Sequence, residues 1–228
     1  MRTLALIPAR SGSKGIPNKD FRPLCGTPPF ARAVRVASEV CNWTCLVSDR
    51  LGLALANGWY SGMTLLEPDH LAEDSVPMRE VVRWAARSLE ALAYEAVVVV
   101  QPTQPLRTPQ HVSRSIALLE DRWDSVVSVV RLPRSIFPDR LVAIRDGQLE
   151  MFLERQGSTH LNDAVRQLAR PAWARDGTVY VVRRSVLESG SLYGTRCRPM
   201  EIPYGETLPL DEPEDWVRAE EILRRAAR

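Results

Sequence analysis

Residues Thr3 to Ile7 (TLALI) form an apolar run that Pro8, Gly12, Gly15 and Pro17 interrupt at once, and no other stretch restricts the fold as much. A buried strand must end there and pass into a loop whose small residues let successive backbone N–H groups point the same way. Phe30, Ala33, Val34, Ala37 and Val40 then recur at helical spacing within Pro28–Val40, and Thr44–Ser48 reads as a second strand with Asp49 at its carboxyl end. Strand, loop, helix and strand within 50 residues is the beginning of an α/β sheet, because parallel neighbours need a crossover connection.

The same rhythm continues along the chain. Leu51–Asn57 reads as a short helix stopped by Gly58, and Val81, Val82, Trp84, Ala85, Leu89 and Leu92 predict a helix within Val76–Ala93. Ala96–Val100 is a buried strand bounded by QPTQP, Thr108 and Pro109 open a helix running to about Glu120, and Ser125–Arg131 is the next strand. Such alternation predicts a mostly parallel sheet with helices on both faces. From Leu132 to Arg170 the pattern breaks. Pro133, Pro138, an Asp146-Gly147 turn and the alternation of Leu141, Ala143 and Ile144 predict a hairpin or arm outside the main sheet, a candidate dimer contact. Thr178–Arg183 returns as a strand, Ser185–Glu188 is a helical turn, and Asp215–Ala227 closes as a helix with Trp216, Ala219, Ile222 and Leu223 on one face.

Composition removes several function classes. A net charge of +2 leaves no general basic field for nucleic acid. The longest apolar runs fall far short of the roughly 20 residues that span a bilayer, and the N-terminus enters a strand without a charged-plus-apolar leader, so the expectation is a cytoplasmic protein. Cys25, Cys41, Cys45 and Cys197 show neither a CxxC pair nor zinc-site spacing and are expected as free thiols. His70, His111 and His160 stand without a GxSxG elbow or an HExxH helix, which disfavours hydrolase and metalloprotease chemistry.

Of 30 basic residues 28 are Arg, and the two lysines, Lys14 and Lys19, fall within six residues of one another in the loop after the first strand. A bias toward Arg wherever positive charge alone suffices leaves Lys where a compact ammonium must meet an oxygen at close range. The loop, IPARSGSKGIPNK, therefore suits a polyphosphate: small residues for the backbone, Arg10 and two lysines for the charge. It is neither GxGxxG nor a Walker A loop, since Gly15 follows Lys14 where Ser or Thr is required.

The stretch IPARSGSKGIPNKDFRPLCGTPP resembles the opening signature of the acylneuraminate cytidylyltransferases, the CMP-sialic acid synthetases, which have a Rossmann-like sheet. The resemblance implies that Ala9, Arg10, Ser11, Gly12, Ser13, Lys14 and Lys19 hold the triphosphate of CTP, with Arg10, Lys14 and Lys19 assisting catalysis. LAEDS at residues 71–75, with Asp74 and Ser75, is similar to the segment that helps enclose the nucleotide, and VQPTQPLR at 100–107 is similar to the family's QPTSPLR. On that resemblance Gln101, Thr103 and Arg107 contact substrate at the carboxyl end of a central strand. Arg166-Gln167 and PAWARDGTVY at 171–180 match a further series, with Trp173 in place of Tyr and Asp176 in place of Asn. Arg166, Gln167 and Asp176 are thereby acceptor-side candidates. Asp176 either pairs with Arg166 or Arg170 or serves as a turn residue before Gly177. LPLD at 208–211 is similar to the family's Asp-Ile-Asp, with Pro209 where the first Asp belongs. Asp211 remains as the metal ligand for Mg²⁺, or else as a cap of the last helix.

The expectation is one nucleotidyltransferase domain over residues 1–228, with 132–170 as a dimerisation arm. It would be a homodimer, and an enzyme that transfers CMP from CTP to an acidic acceptor of the nonulosonic or sialic-acid type with release of pyrophosphate. Two alternatives stand beside it. One is a phosphonate acceptor such as phosphonoformate, already an oxyanion; the other is a CTP-binding protein without catalysis.

Overall fold

The computed structural model describes residues 1–12, 15–51, 64–68, 71, 75–138, 141–152 and 171–226. Nine strands are present among them: β1 (Thr3–Ala9), β2 (Trp43–Ser48), β3 (Thr64–Leu66), β4 (Ala96–Val99), β5 (Ser125–Arg131), β6 (Val142–Arg145), β7 (Gln148–Met151), β8 (Trp173–Arg183) and β9 (Cys197–Ile202). The α-helices are α1 (Pro29–Ser38), α2 (Met78–Ser88), α3 (Pro109–Ala117), α4 (Arg184–Glu188) and α5 (Pro213–Ala226).

Seven strands form one sheet in the order β3-β2-β1-β4-β8-β5-β9. Its pairs are parallel except at β8, which is antiparallel to both β4 and β5. β1 shows why the sheet is covered twice. Leu4 and Leu6 pack with Val82, Ala85 and Ala86 of α2, while Ala5 and Ile7, one pleat over, pack with Phe30, Ala33 and Val34 of α1. A strand buried on both faces must be apolar without alternation, which is the TLALI run. Each such fully buried Leu or Ile contributes about 1.5–3 kcal/mol. The result is a Rossmann-like α/β sheet with helices on both faces.

A third cluster ties the chain's two ends together: Ile16 and Leu24 pack with Leu208, Leu210, Trp216 and Ala219. It anchors the loop after β1 against the approach to α5.

Several helices are shorter than the periodicity suggests. α2 ends at Ser88, followed by a 3₁₀ turn over Glu90–Leu92 and Ala93 at φ 51. α3 opens on Thr108, whose side chain accepts from the His111 N–H while the His111 ring accepts from the Thr108 N–H. His111 is thus a helix-start residue. The hairpin expected around Asp146-Gly147 is present as β6 and β7, a separate two-stranded sheet whose turn residues both have positive φ. Residues 139–140 and 153–170 of the expected arm, and all but Leu51 of the helix expected over Leu51–Asn57, lie outside the described residues. The four cysteines are unpaired.

Candidate active site

In parallel register the carboxyl ends of β1, β2 and β4 finish on one edge of the sheet, and there a cavity of about 560 Å³ opens. Ala9, Arg10, Gly12, Gly15 and Lys19 from the loop after β1 line it, with Gln101 and Thr103 from the loop after β4 and Asp211 ahead of α5. The lining residues thus come from both ends of the sequence. A second, apolar wall comes from Pro68, Leu71, Val76, Met78 and Val81. One side of the cavity is therefore charged and the other suits a flat apolar group.

The loop after β1 is held from below by two carboxylates. The Arg10 N–H donates to Asp20 Oδ2 at 3.1 Å, and Ser11 donates its N–H at 2.9 Å and its hydroxyl at 2.6 Å to the two oxygens of Asp49. Lys19 reaches across: its Nζ donates to the Leu210 carbonyl at 2.6 Å and pairs with Asp211 Oδ1 at 3.3 Å. The Lys19 side chain is 16% exposed and the Asp211 side chain 69%, so the lysine is fixed and the carboxylate faces the cavity. The Leu210 N–H donates to the Thr103 carbonyl at 2.9 Å, which joins the strip before α5 to the loop after β4. Gly15 lies so close to that strip that a β-carbon would run into the Asp211 carbonyl oxygen.

Asp215 does the capping at the start of α5, accepting from the N–H groups of Asp211 and Glu212 at 3.1 and 2.9 Å. The Asp211 carboxylate is left beside Lys19. Pro209 is exposed and is not among the residues lining the cavity.

Two residues expected at the substrate stand elsewhere. The Arg107 side chain is buried and donates to the Thr178 carbonyl at 2.5 Å and to the Gln101 carbonyl. Asp176 is buried too, its carboxylate accepting from the N–H and the hydroxyl of Thr178, which is the turn role. Neither lines the cavity. Trp173 is half exposed, with its indole N–H donating to Glu201 at 3.0 Å and the Arg131 guanidinium over its ring. Ser11 and Ser75 are also absent from the lining. Ser13, Lys14, Asp74, Arg166 and Gln167 lie outside the described residues.

Asp20 is the group that sequence reasoning missed. Its signal was faint: a carboxylate directly after one of the two lysines. It is 5% exposed and its Oδ1 has no hydrogen-bond partner among the described residues. Burial pushes its pKa up to about 6, against the opposing pull of the Arg10 N–H and the Lys19 and Arg10 charges. A raised carboxyl favours the protonated folded state, so stability is highest below the unfolded value near 3.8 and falls as pH rises toward 6. Asp20→Asn removes this titration while keeping an acceptor for Arg10. Its stability relative to wild type should therefore rise by up to about 3 kcal/mol between pH 4 and pH 8, the cost of ionising a carboxyl held near 6 instead of 3.8. Urea unfolding at both pH values measures this, and two parallel stability profiles would contradict it.

Known proteins with the same architecture carry the assignment further. CMP:2-keto-3-deoxy-manno-octonic acid synthetase, solved with CTP, superposes with a TM-score of 0.73 over 99% of this chain and all of that one at 15% identity. 4-Diphosphocytidyl-2C-methyl-D-erythritol synthase of Anaerococcus prevotii does so with a TM-score of 0.67 at 12% identity, over 98% and 96%. Both likenesses concern the fold. In sequence, the chain is 26% identical to CMP-N,N'-diacetyllegionaminic acid synthase of Legionella pneumophila, across 98% of this chain and 97% of that protein. It is 27% identical to N-acylneuraminate cytidylyltransferase A of Danio rerio, across 97% of this chain but only 50% of that protein. The family model described as cytidylyltransferase matches residues 4–209, from β1 to the strip just before Asp211, and the chain belongs to that family of nucleotidyltransferases.

Proposed function

We propose that this enzyme transfers CMP from CTP to an acidic sugar acceptor of the nonulosonic, sialic-acid type and releases pyrophosphate. The observation that carries the reading is the cavity at the carboxyl ends of β1, β2 and β4, where Arg10 lines the wall and Lys19 pairs with Asp211 beside apolar residues. The full-length likeness to a legionaminic acid synthase supports the acceptor class.

In this reading an acceptor hydroxyl oxygen attacks the α-phosphorus in line and gives its proton to water, the bond from that phosphorus to the bridging oxygen breaks, and pyrophosphate leaves. The protein contributes position and charge. Arg10 and Lys19 meet the triphosphate oxygens, and the apolar wall of Val76, Met78 and Val81 seats the base. Gln101 and Thr103 face the acceptor. Mg²⁺ suits a hard carboxylate oxygen that is not used in a helix cap, and Asp211 is such a group in the cavity wall. Bound there, the ion would add positive charge beside the triphosphate. Trp173, Asp176 and Pro209, the three departures from the family's pattern that leave other acceptors open, are absent from the cavity lining and give no ground there for a phosphonate over a sugar acid.

Pyrophosphate release from CTP and Mg²⁺ with a panel of keto-sugar acids and phosphonates tests the reading. Turnover with the sugar acids is expected; turnover with phosphonates alone, or CTP binding without turnover, would reject it. Asp211→Asn should lower kcat more than CTP affinity at limiting Mg²⁺, and a wild-type kcat there would remove Asp211 from metal binding.

The homodimer is a further part of this proposal. Val142, Ile144 and Leu149, which the β6–β7 register places on one face of the hairpin, are 44%, 75% and 55% exposed, an apolar face suited to a second copy of the chain; light scattering should then read a dimer, and a monomer would count against it. A cytoplasmic site of action belongs to the same reading. No helix among the described residues is long and apolar enough to cross a membrane.

A further inference from the structure

Pairing between β5 and β8 jumps from Val127–Tyr180 to Val129–Arg175, so β8 bulges out of the ladder between those points. Side chains bond the bulge. Ser128 Oγ accepts from the Val179 N–H at 2.9 Å, Thr178 donates twice to the Asp176 carboxylate, and the Asp176 carbonyl accepts from the Gln104 side chain. Facing it is the loop after β4, which carries Gln101 into the cavity.

Arg107 closes the two together. Its Nε donates to the Thr178 carbonyl on the bulge at 2.5 Å, and its Nη2 donates to the Gln101 carbonyl on the loop. The Gln101 side chain is bounded from the same bulge: Gly177 sits at φ +77, and a β-carbon there would come within 2.6 Å of Gln101 Oε1. Gln101 is thus held by its carbonyl on one side and seated over a bare backbone on the other. A guanidinium is a rigid fork that can bridge carbonyls of two elements, whereas an ammonium of equal charge is a single point on a mobile stem. Burial pulls the Arg107 pKa down to about 9, and the nearby Asp176 carboxylate opposes that desolvation only in part.

We propose that Arg107 is a positioning residue that sets Gln101 for the acceptor by clasping the loop after β4 to the bulge of β8, without itself touching substrate. The inference rests on the acceptor-side placement of Gln101 argued above. Arg107→Lys keeps the charge and loses the fork. It should raise acceptor KM or lower kcat by tenfold or more while CTP affinity, read by calorimetry, stays within twofold. The same substitution in a Gln101→Ala background should then cost less than threefold, because there is no longer a side chain to aim. Gly177→Ala disturbs the seat of Gln101 from the other side and should reproduce the acceptor defect with CTP affinity retained, which keeps the test open if Arg107→Lys folds poorly.

A full tenfold loss from Arg107→Lys on top of Gln101→Ala would place the guanidinium on the substrate, and an equal loss of CTP affinity would make it a general fold residue; either overturns the proposal. Wild-type turnover with a sugar acid is measured first. Its absence overturns the acceptor reading itself, separately from the role of Arg107.

Discussion

Gly15→Ala should cost at least a hundredfold in kcat/KM, about 2.7 kcal/mol of transition-state stabilisation, with the sheet and both main cores intact. Gly15 has no positive φ, so the reason is not backbone freedom but close approach. A methyl group would meet the main-chain oxygen of Asp211, and no rotamer can relieve a clash between a β-carbon and a backbone. Ile16 next to it is buried with Leu208 and Leu210, so the loop cannot lift without opening that cluster. Either the loop or the strip carrying Asp211 must shift, and both are cavity walls. Steady-state pyrophosphate release and thermal unfolding separate the effects. Turnover within threefold of wild type would show that the contact is dispensable.

Lys19→Arg should cost tenfold or more in kcat/KM, about 1.4 kcal/mol, although it preserves the charge. The ammonium sits in a confined place, with the Leu210 carbonyl at 2.6 Å and Asp211 at 3.3 Å, and is 16% exposed. A planar guanidinium is larger and would displace the Leu210 carbonyl, whose residue is also bonded to Thr103. In a chain where Arg serves almost every other cationic position, an arginine with wild-type activity at 19 would show that charge alone suffices there.

What the sequence determined by itself was local or compositional. TLALI had to be a strand buried on both faces, the prolines and glycines after it had to be a loop, and the alternation of strands and helices required crossovers, because backbone sterics and side-chain periodicity act over a few residues. The scarcity of lysine marks the charged wall in the sequence itself, and one of the two lysines, Lys19, stands in that wall.

Only the tertiary structure decided the rest. β8 is antiparallel between β4 and β5, and β9, an edge strand that contains Pro199, pairs with β5 from far along the chain. Such pairings depend on partners distant in sequence. Arg107 and Asp176 have the residue types of ligand contacts, and sequence places them near the site. The bulge of β8 turns both inward to bond the backbone, while Asp20 acquires its raised pKa from burial beneath the loop. Which way a polar side chain faces follows from burial and from the hydrogen bonds left unmade around it, and these exist only once the sheet has assembled.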